Sequence, residues 1–140
     1  MSRQLLVFDV AGAGYGIETS AVQEIVPAGV MTRLPGAPRH VAGLLNLRGT
    51  LVTVVDLARR LAGASSEVAQ AAERSTIIVQ SGGRLLGLLV DDVHDVQTIE
   101  EEGMTAPGDA HGGVVGELGH LGGRVVLLID VQELVRQTLA

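Results

Sequence analysis

The chain has 140 residues, 46% of them apolar, which suits one domain or two very small modules sharing a core and excludes a disordered chain. It contains no cysteine, so disulfide scaffolds, thiol nucleophiles and thiolate metal sites are excluded. The net charge is −6 and every basic residue among the ten is arginine, a balance that argues against nucleic acid or anionic lipid as a direct partner.

Residues 1–10 alternate as a strand does and carry no cleavage-site pattern, so a targeting leader is not expected. The longest apolar runs are about five residues, far short of the roughly 20 that span a bilayer, and a cytoplasmic location follows as an expectation. A Gly-containing turn at Ala11-Gly12-Ala13-Gly14 predicts a hairpin into a second strand around Tyr15-Gly16-Ile17. Ser20 with Gln23 forms a capping box, which predicts a short helix over 21–25. Pro38 predicts a second short helix ending near Leu44, because proline suits a first helical turn. The β-branched run 51–55 predicts a buried strand. Residues 62–74, rich in Ala, Ser and Glu, read as a linker.

Beyond the linker the pattern starts again. Thr76-Ile77-Ile78-Val79 matches Leu5-Leu6-Val7-Phe8, Leu86-Gly87-Leu88 matches Tyr15-Gly16-Ile17, and Val93-His94-Asp95-Val96 matches Val22-Gln23-Glu24-Ile25. Val114-Val115-Gly116 is set against Val41-Ala42-Gly43, and the strand at 124–129 against 51–55. Asp130 with Glu133 then caps a terminal helix toward Leu139. The chain therefore reads as a single domain, 1–140, duplicated internally at about 4–61 and 75–139. Many short strands punctuated by glycine predict two small packed barrels. With Phe8 and Tyr15 the only aromatic residues, the shared core must be aliphatic. Val7, Ile17, Leu45, Val52, Val54, Ile78, Leu88, Val90, Val126 and Leu128 are its expected members.

The duplication also sorts the chemical candidates, since a feature present in both copies serves the fold. Asp56 and Asp130 recur at strand ends and read as caps; the alternative is a carboxylate-dependent enzyme using both. Asp91, Asp92, His94 and Asp95 form a cluster, followed by Glu100, Glu101 and Glu102, whose carboxylates offer oxygen ligands but fit no calcium loop, so no metal is expected. His40, His94, His111 and His120 form no metal-type pair, and His111 and His120 are read in Gly-rich loops. No nucleophile elbow or phosphate loop supports catalysis or a cofactor. Asn46-Leu47-Arg48-Gly49 differs, because the stretch ending at Gly123 in the second copy has no arginine. Placed between a short helix and the buried strand, Arg48 needs an anionic or carbonyl partner, and the Glu24 carboxylate is available. An ordinary structural ion pair and a partner-binding group both remain open for it.

In order along the chain, Leu6-Val7-Phe8, Tyr15-Gly16-Ile17, Val22-Gln23-Glu24-Ile25-Val26, Pro35 with Pro38, Val41-x-Gly43-x-x-Asn46-Leu47-Arg48-Gly49, Val54-Val55-Asp56-Leu57, Gly87-Leu88-Leu89-Val90-Asp91 and Val126-Leu127-Leu128-Ile129-Asp130 resemble the CheW-like family of chemotaxis coupling domains. The resemblance covers essentially the whole chain and is most specific at Asn-Leu-Arg-Gly. It implies a mainly β fold of two packed five-stranded SH3-like barrels with short helices and a C-terminal helix. It implies a non-enzymatic adaptor, without metal or cofactor, that joins the cytoplasmic tip of methyl-accepting chemoreceptors to the regulatory domain of the histidine kinase CheA. Membrane contact is then only indirect, through the receptors of an inner-membrane array, and the output is flagellar or another motility such as that of pili. No kinase, dimerisation or receiver region accompanies the domain, which suggests a free-standing coupler. The family's partner-binding positions map onto Val22, Glu24, Gly43, Asn46, Arg48 and Gly49, with Arg48 pairing with Glu24.

Overall fold

The chain opens with β1 (Ser2–Val10) and β2 (Ala13–Glu18), a hairpin turned by Ala11 and Gly12. Both turn residues have positive φ, 50° and 82°, as a right-twisted two-residue turn requires. The computed structural model describes residues 2–29, 31–62, 74–100, 104–105 and 113–139. The linker 62–74, apart from its two end residues, and the loop containing His111 lie outside them, as do Glu101 and Glu102.

Two short helices expected from local signals are strands instead. A single 3-10 turn, Thr19–Ala21, leads into β3 (Val22–Pro27), where half-buried and exposed residues alternate with the period of a strand. No side chain caps that turn. The capping-box signal loses to β-branched Val22, Ile25 and Val26, which pair with a distant strand. The Pro38 segment makes one isolated turn, its carbonyl accepting the Val41 N–H at 3.0 Å. The chain then extends into β5 (Val41–Leu47) after the two-residue β4 (Met31–Thr32). Gly43 in mid-segment disfavours helix, and the alternation of β5 suits a ladder. β6 (Thr50–Asp56) follows and ends on a π-type turn, Ala58–Ala62.

The second half supplies β7 (Ser75–Ser81), β8 (Arg84–Val90), β9 (Asp92–Glu100), β10 (Met104–Thr105), β11 (Val115–Leu121), β12 (Arg124–Ile129) and the helix α1 (Val131–Leu139). Two sheets result, ordered β10-β11-β12-β2-β1-β9 and β4-β5-β6-β8-β7-β3. Each has six strands, one of them the two-residue strand at its edge. The orders are the same once repeats are exchanged, down to the parallel contacts of β12 with β2 and of β6 with β8. Each sheet thus takes its β1-type hairpin from the opposite repeat. The bulges after Val41 and Val115 also shift the match by one residue from the expected one: Val41 corresponds to Val115 and Gly43 to Glu117.

Both sheets curl until their edges share a core. Val26 of β3 and Met31 of β4, at opposite ends of one sheet, pack on the same group of Leu45, Val52, Val54, Ile78 and Leu89. Ile99 of β9 and Met104 of β10 do so in the other sheet, with Leu5, Val7 and Leu128. The other faces of β1, β2, β7 and β8 meet in a seam between the two barrels, closed by Leu134 and Val135 of α1. All ten expected core residues are buried. The two aromatic rings, Phe8 and Tyr15, stack in this seam with centroids 6.3 Å apart. Gly16 and Gly87, equivalent in the two hairpins, sit where a neighbouring strand comes close: a Cβ on Gly87 would stand 2.9 Å from Val54 Cγ2, and one on Gly16 3.2 Å from Val126 Cγ1. No described helix is long and apolar enough to cross a membrane.

Candidate functional site

Leu47 pairs with Thr50 at the end of the β5–β6 hairpin, which leaves Arg48 and Gly49 as a two-residue turn. Arg48 has φ 50° and Gly49 φ 89°. The same turn in the second barrel is Gly122 and Gly123, with φ 55° and 82°. Arg48 therefore holds a left-handed conformation that its counterpart fills with glycine, and a side chain there carries a backbone cost. The Asn46 Oδ1 accepts the Gly49 N–H at 2.8 Å and braces the turn.

The position corrects the expected setting of Arg48. No helix precedes it, and its side chain is 69% exposed rather than near-buried. It nevertheless meets Glu24, as anticipated. The guanidinium forms a two-pronged pair with the carboxylate, Nη1 to Oε2 at 3.2 Å and Nη2 to Oε1. Glu24 sits on β3, on the same half-buried face as Val22 and Val26. Hydrogen bonding to Arg48 holds the Glu24 carboxyl below its ordinary range, outweighing its partial desolvation, and the same bond raises the guanidinium. An exposed pair of this kind contributes little to stability, so burial gives no structural reason for it.

Glu24, Asn46, Arg48 and Gly49 thus form one surface feature at the mouth of the first barrel. Val22 and Gly43 have other contacts. Val22 packs against the seam at the start of β3. Gly43 is buried against β4, where a Cβ would stand 2.5 Å from the Thr32 carbonyl oxygen.

The two recurring aspartates act as caps. Asp56 Oδ1 accepts the Ala58 N–H at 3.1 Å, and Asp130 Oδ1 accepts the Glu133 N–H at 3.0 Å. Asp130 borders a 330 Å³ cavity that Asp56 does not line. Asp92, His94 and Asp95 all lie on β9, while Asp91 directly precedes it. His94 Nε2 lies 2.8 Å from Asp9 Oδ2, and Asp92 stands close by. Burial pushes the Asp9 carboxyl up, but hydrogen bonds from His94 and Arg124 leave it below its usual value. Burial, with Arg60 nearby, lowers the His40 imidazole. His120 lies on β11 rather than in a loop.

Sequence reasoning missed two arginine bridges. Arg74 Nη2 is 3.2 Å from buried Asp56, and its Nε is 3.4 Å from Asp91, whose other oxygen accepts the Ala11 N–H. Arg3 spans Glu18 and Glu117 at 2.8 and 2.9 Å. Arg3 and Arg74 stand just before or within the equivalent strands β1 and β7, at the repeat offset, which is the signal that would have found them.

Residues 4–139 match the CheW-like domain family. The chain is 30% identical over 139 residues to the chemotaxis protein CheW of Klebsiella aerogenes, covering 96% of this chain and 82% of that one. It is 37% identical over 100 residues to the CheW of Rhizobium meliloti, covering 71% and 63%. The crystal structure of the scaffolding protein TtCheW from Thermoanaerobacter tengcongensis superposes with a TM-score of 0.87 at 28% identity, covering 96% of this chain and 88% of that one. Fold and likeness together define a scaffolding protein made of two fused β subdomains. The chain belongs to the CheW-like family and is an adaptor of chemotaxis signalling.

Proposed function

We propose that this adaptor works without catalysis in the cytoplasm, coupling the tip of methyl-accepting chemoreceptors to the regulatory domain of the kinase CheA within the receptor array. The partner surface is centred on Arg48 and Glu24, with Asn46 and Gly49 fixing the turn. Val22 and Gly43 shape the strands that present it. The observation that carries this reading is the conformation of Arg48: an exposed arginine held in the left-handed region, where the other barrel uses Gly122. An exposed ion pair stabilises the fold only a little while the left-handed backbone costs it, so the use of the side chain lies outside the fold. A planar five-donor fork already half-committed to Glu24 suits recognition of a partner's carboxylates or carbonyls. On the same reading the chain descends from one duplicated unit, 4–61 and 75–139, with the first hairpins exchanged between the two barrels.

The test is a binding titration of receptor hairpin fragments and of the kinase regulatory domain against the wild type and Arg48→Ala. The expected result is a loss of about 5- to 150-fold for at least one partner, with the melting temperature kept. Unchanged affinity for both partners, or a collapse of the fold, would show Arg48 to be a scaffold residue.

A further inference from the structure

The two barrels share one design of mouth but finish it differently. The pairing of Ile25 with Ile77 and of Val96 with Leu6 makes Glu24 equivalent to Asp95. The pairing of Leu47 with Thr50 and of Leu121 with Arg124 makes Arg48 equivalent to Gly122. The second barrel has kept the carboxylate and lacks the arginine. Its mouth stands open as a groove of about 550 Å³, with an apolar floor of Val7, Leu121 and Val126 and with Asp95 and Gln97 on its wall.

The other charges at this groove are already engaged. Arg124 Nη2 lies 3.2 Å from Asp9 Oδ1, and His94 Nε2 lies 2.8 Å from Asp9 Oδ2. Asp95 has one hydrogen-bond partner among the described residues, the neutral Gln97 amide at 2.8 Å. A Cβ added to Gly122 would meet nothing within 4 Å, so there is free space at the position where the first barrel carries Arg48.

We infer that this groove receives an arginine carried on a turn of a partner protein, in the place that Arg48 fills in the first barrel. The guanidinium pairs with Asp95, and its aliphatic stem lies on the apolar floor. The inference rests on the adaptor reading for the existence of a partner, but its test does not.

The probe is a cyclic hairpin peptide with one arginine at its turn, compared with the same peptide carrying neutral citrulline there. Each is titrated into the full chain and followed by amide NMR. The arginine peptide is expected to shift the signals of Asp95, Gln97, Leu121 and Gly122, and to bind about fivefold more tightly than the citrulline peptide. Asp95→Asn should erase that preference. Gly122→Arg, which supplies a guanidinium from the chain itself, should abolish binding; Asp95→Asn decides alone if that variant does not fold. Equal binding of the two peptides, shifts confined to other surfaces, or a preference that survives Asp95→Asn would overturn the inference. None of these outcomes touches the coupling function, which is read at Arg48 with receptor and kinase fragments.

Discussion

At residue 48 the backbone and the side chain pull in opposite directions. The backbone prefers glycine, while the side chain ties down Glu24. Arg48→Gly should therefore melt no lower than the wild type while losing partner affinity, which calorimetry and a binding titration on one sample would show. The same variant should release Glu24. Its folded carboxyl lies below the unfolded value, so the pair adds stability above that value and loses it as pH falls through the folded midpoint. A carboxyl NMR titration should show the Glu24 midpoint moving back toward 4.5 in Arg48→Gly. Glu133, held down to about 2 by Arg136, serves as the unmoved control. Gly43 is the opposite case, a residue needed by the fold. Gly43→Ala puts a Cβ against the Thr32 carbonyl and should cost about 1–3 kcal/mol in chemical unfolding, through loss of the β4–β5 pairing.

At the scale of elements, the terminal helix depends on its first turn. α1 is only nine residues long, yet it sets Val131, Leu134 and Val135 into the seam. Asp130→Ala removes the oxygen that accepts the Glu133 N–H and should cost about 0.5–2 kcal/mol in denaturant unfolding. That cap was legible in the sequence because Asp130 and Glu133 are local to each other. So were the hairpin at 11–12 and the strands at 51–55 and 124–129. β3 and β5 were not legible. β3 exists because β7 lies beside it, some fifty residues away, and nothing near Ser20 reports that partner. The Glu24–Arg48 pair was readable from the asymmetry of the copies. The left-handed turn beneath it needed Arg48 to be set on Gly122, a register fixed by strand pairing.

At the scale of the molecule, the exchange of hairpins between repeats was hidden for a different reason. Val22-Gln23-Glu24-Ile25 of β3 matches Val93-His94-Asp95-Val96 of β9, and β6 and β12 share one burial pattern, so the first hairpin satisfies either set of neighbours and periodicity cannot choose. The choice has a measurable result. Residues 1–61 contain β1 to β6 but lack β7 and β8, which lie between β3 and β6 in the finished sheet. This fragment should show no strand signal by circular dichroism on its own, and should gain it on mixing with 62–140. A folded 1–61 would show that each repeat closes its own barrel.

The same topology makes one barrel an insertion within the other. β3 to β8 lie between β2 and β9, and the chain crosses from barrel to barrel through residues 19–21 and through Asp91 alone. The aliphatic seam packs the barrels face to face beside both short crossings, so neither crossing is free to act as a hinge. Asp91 is further pinned by Arg74 and by the Ala11 N–H. A push on one barrel is then not absorbed as bending. It arrives at the other as rotation of the whole body, so the protein behaves as a stiff lever whose two ends keep a fixed angle.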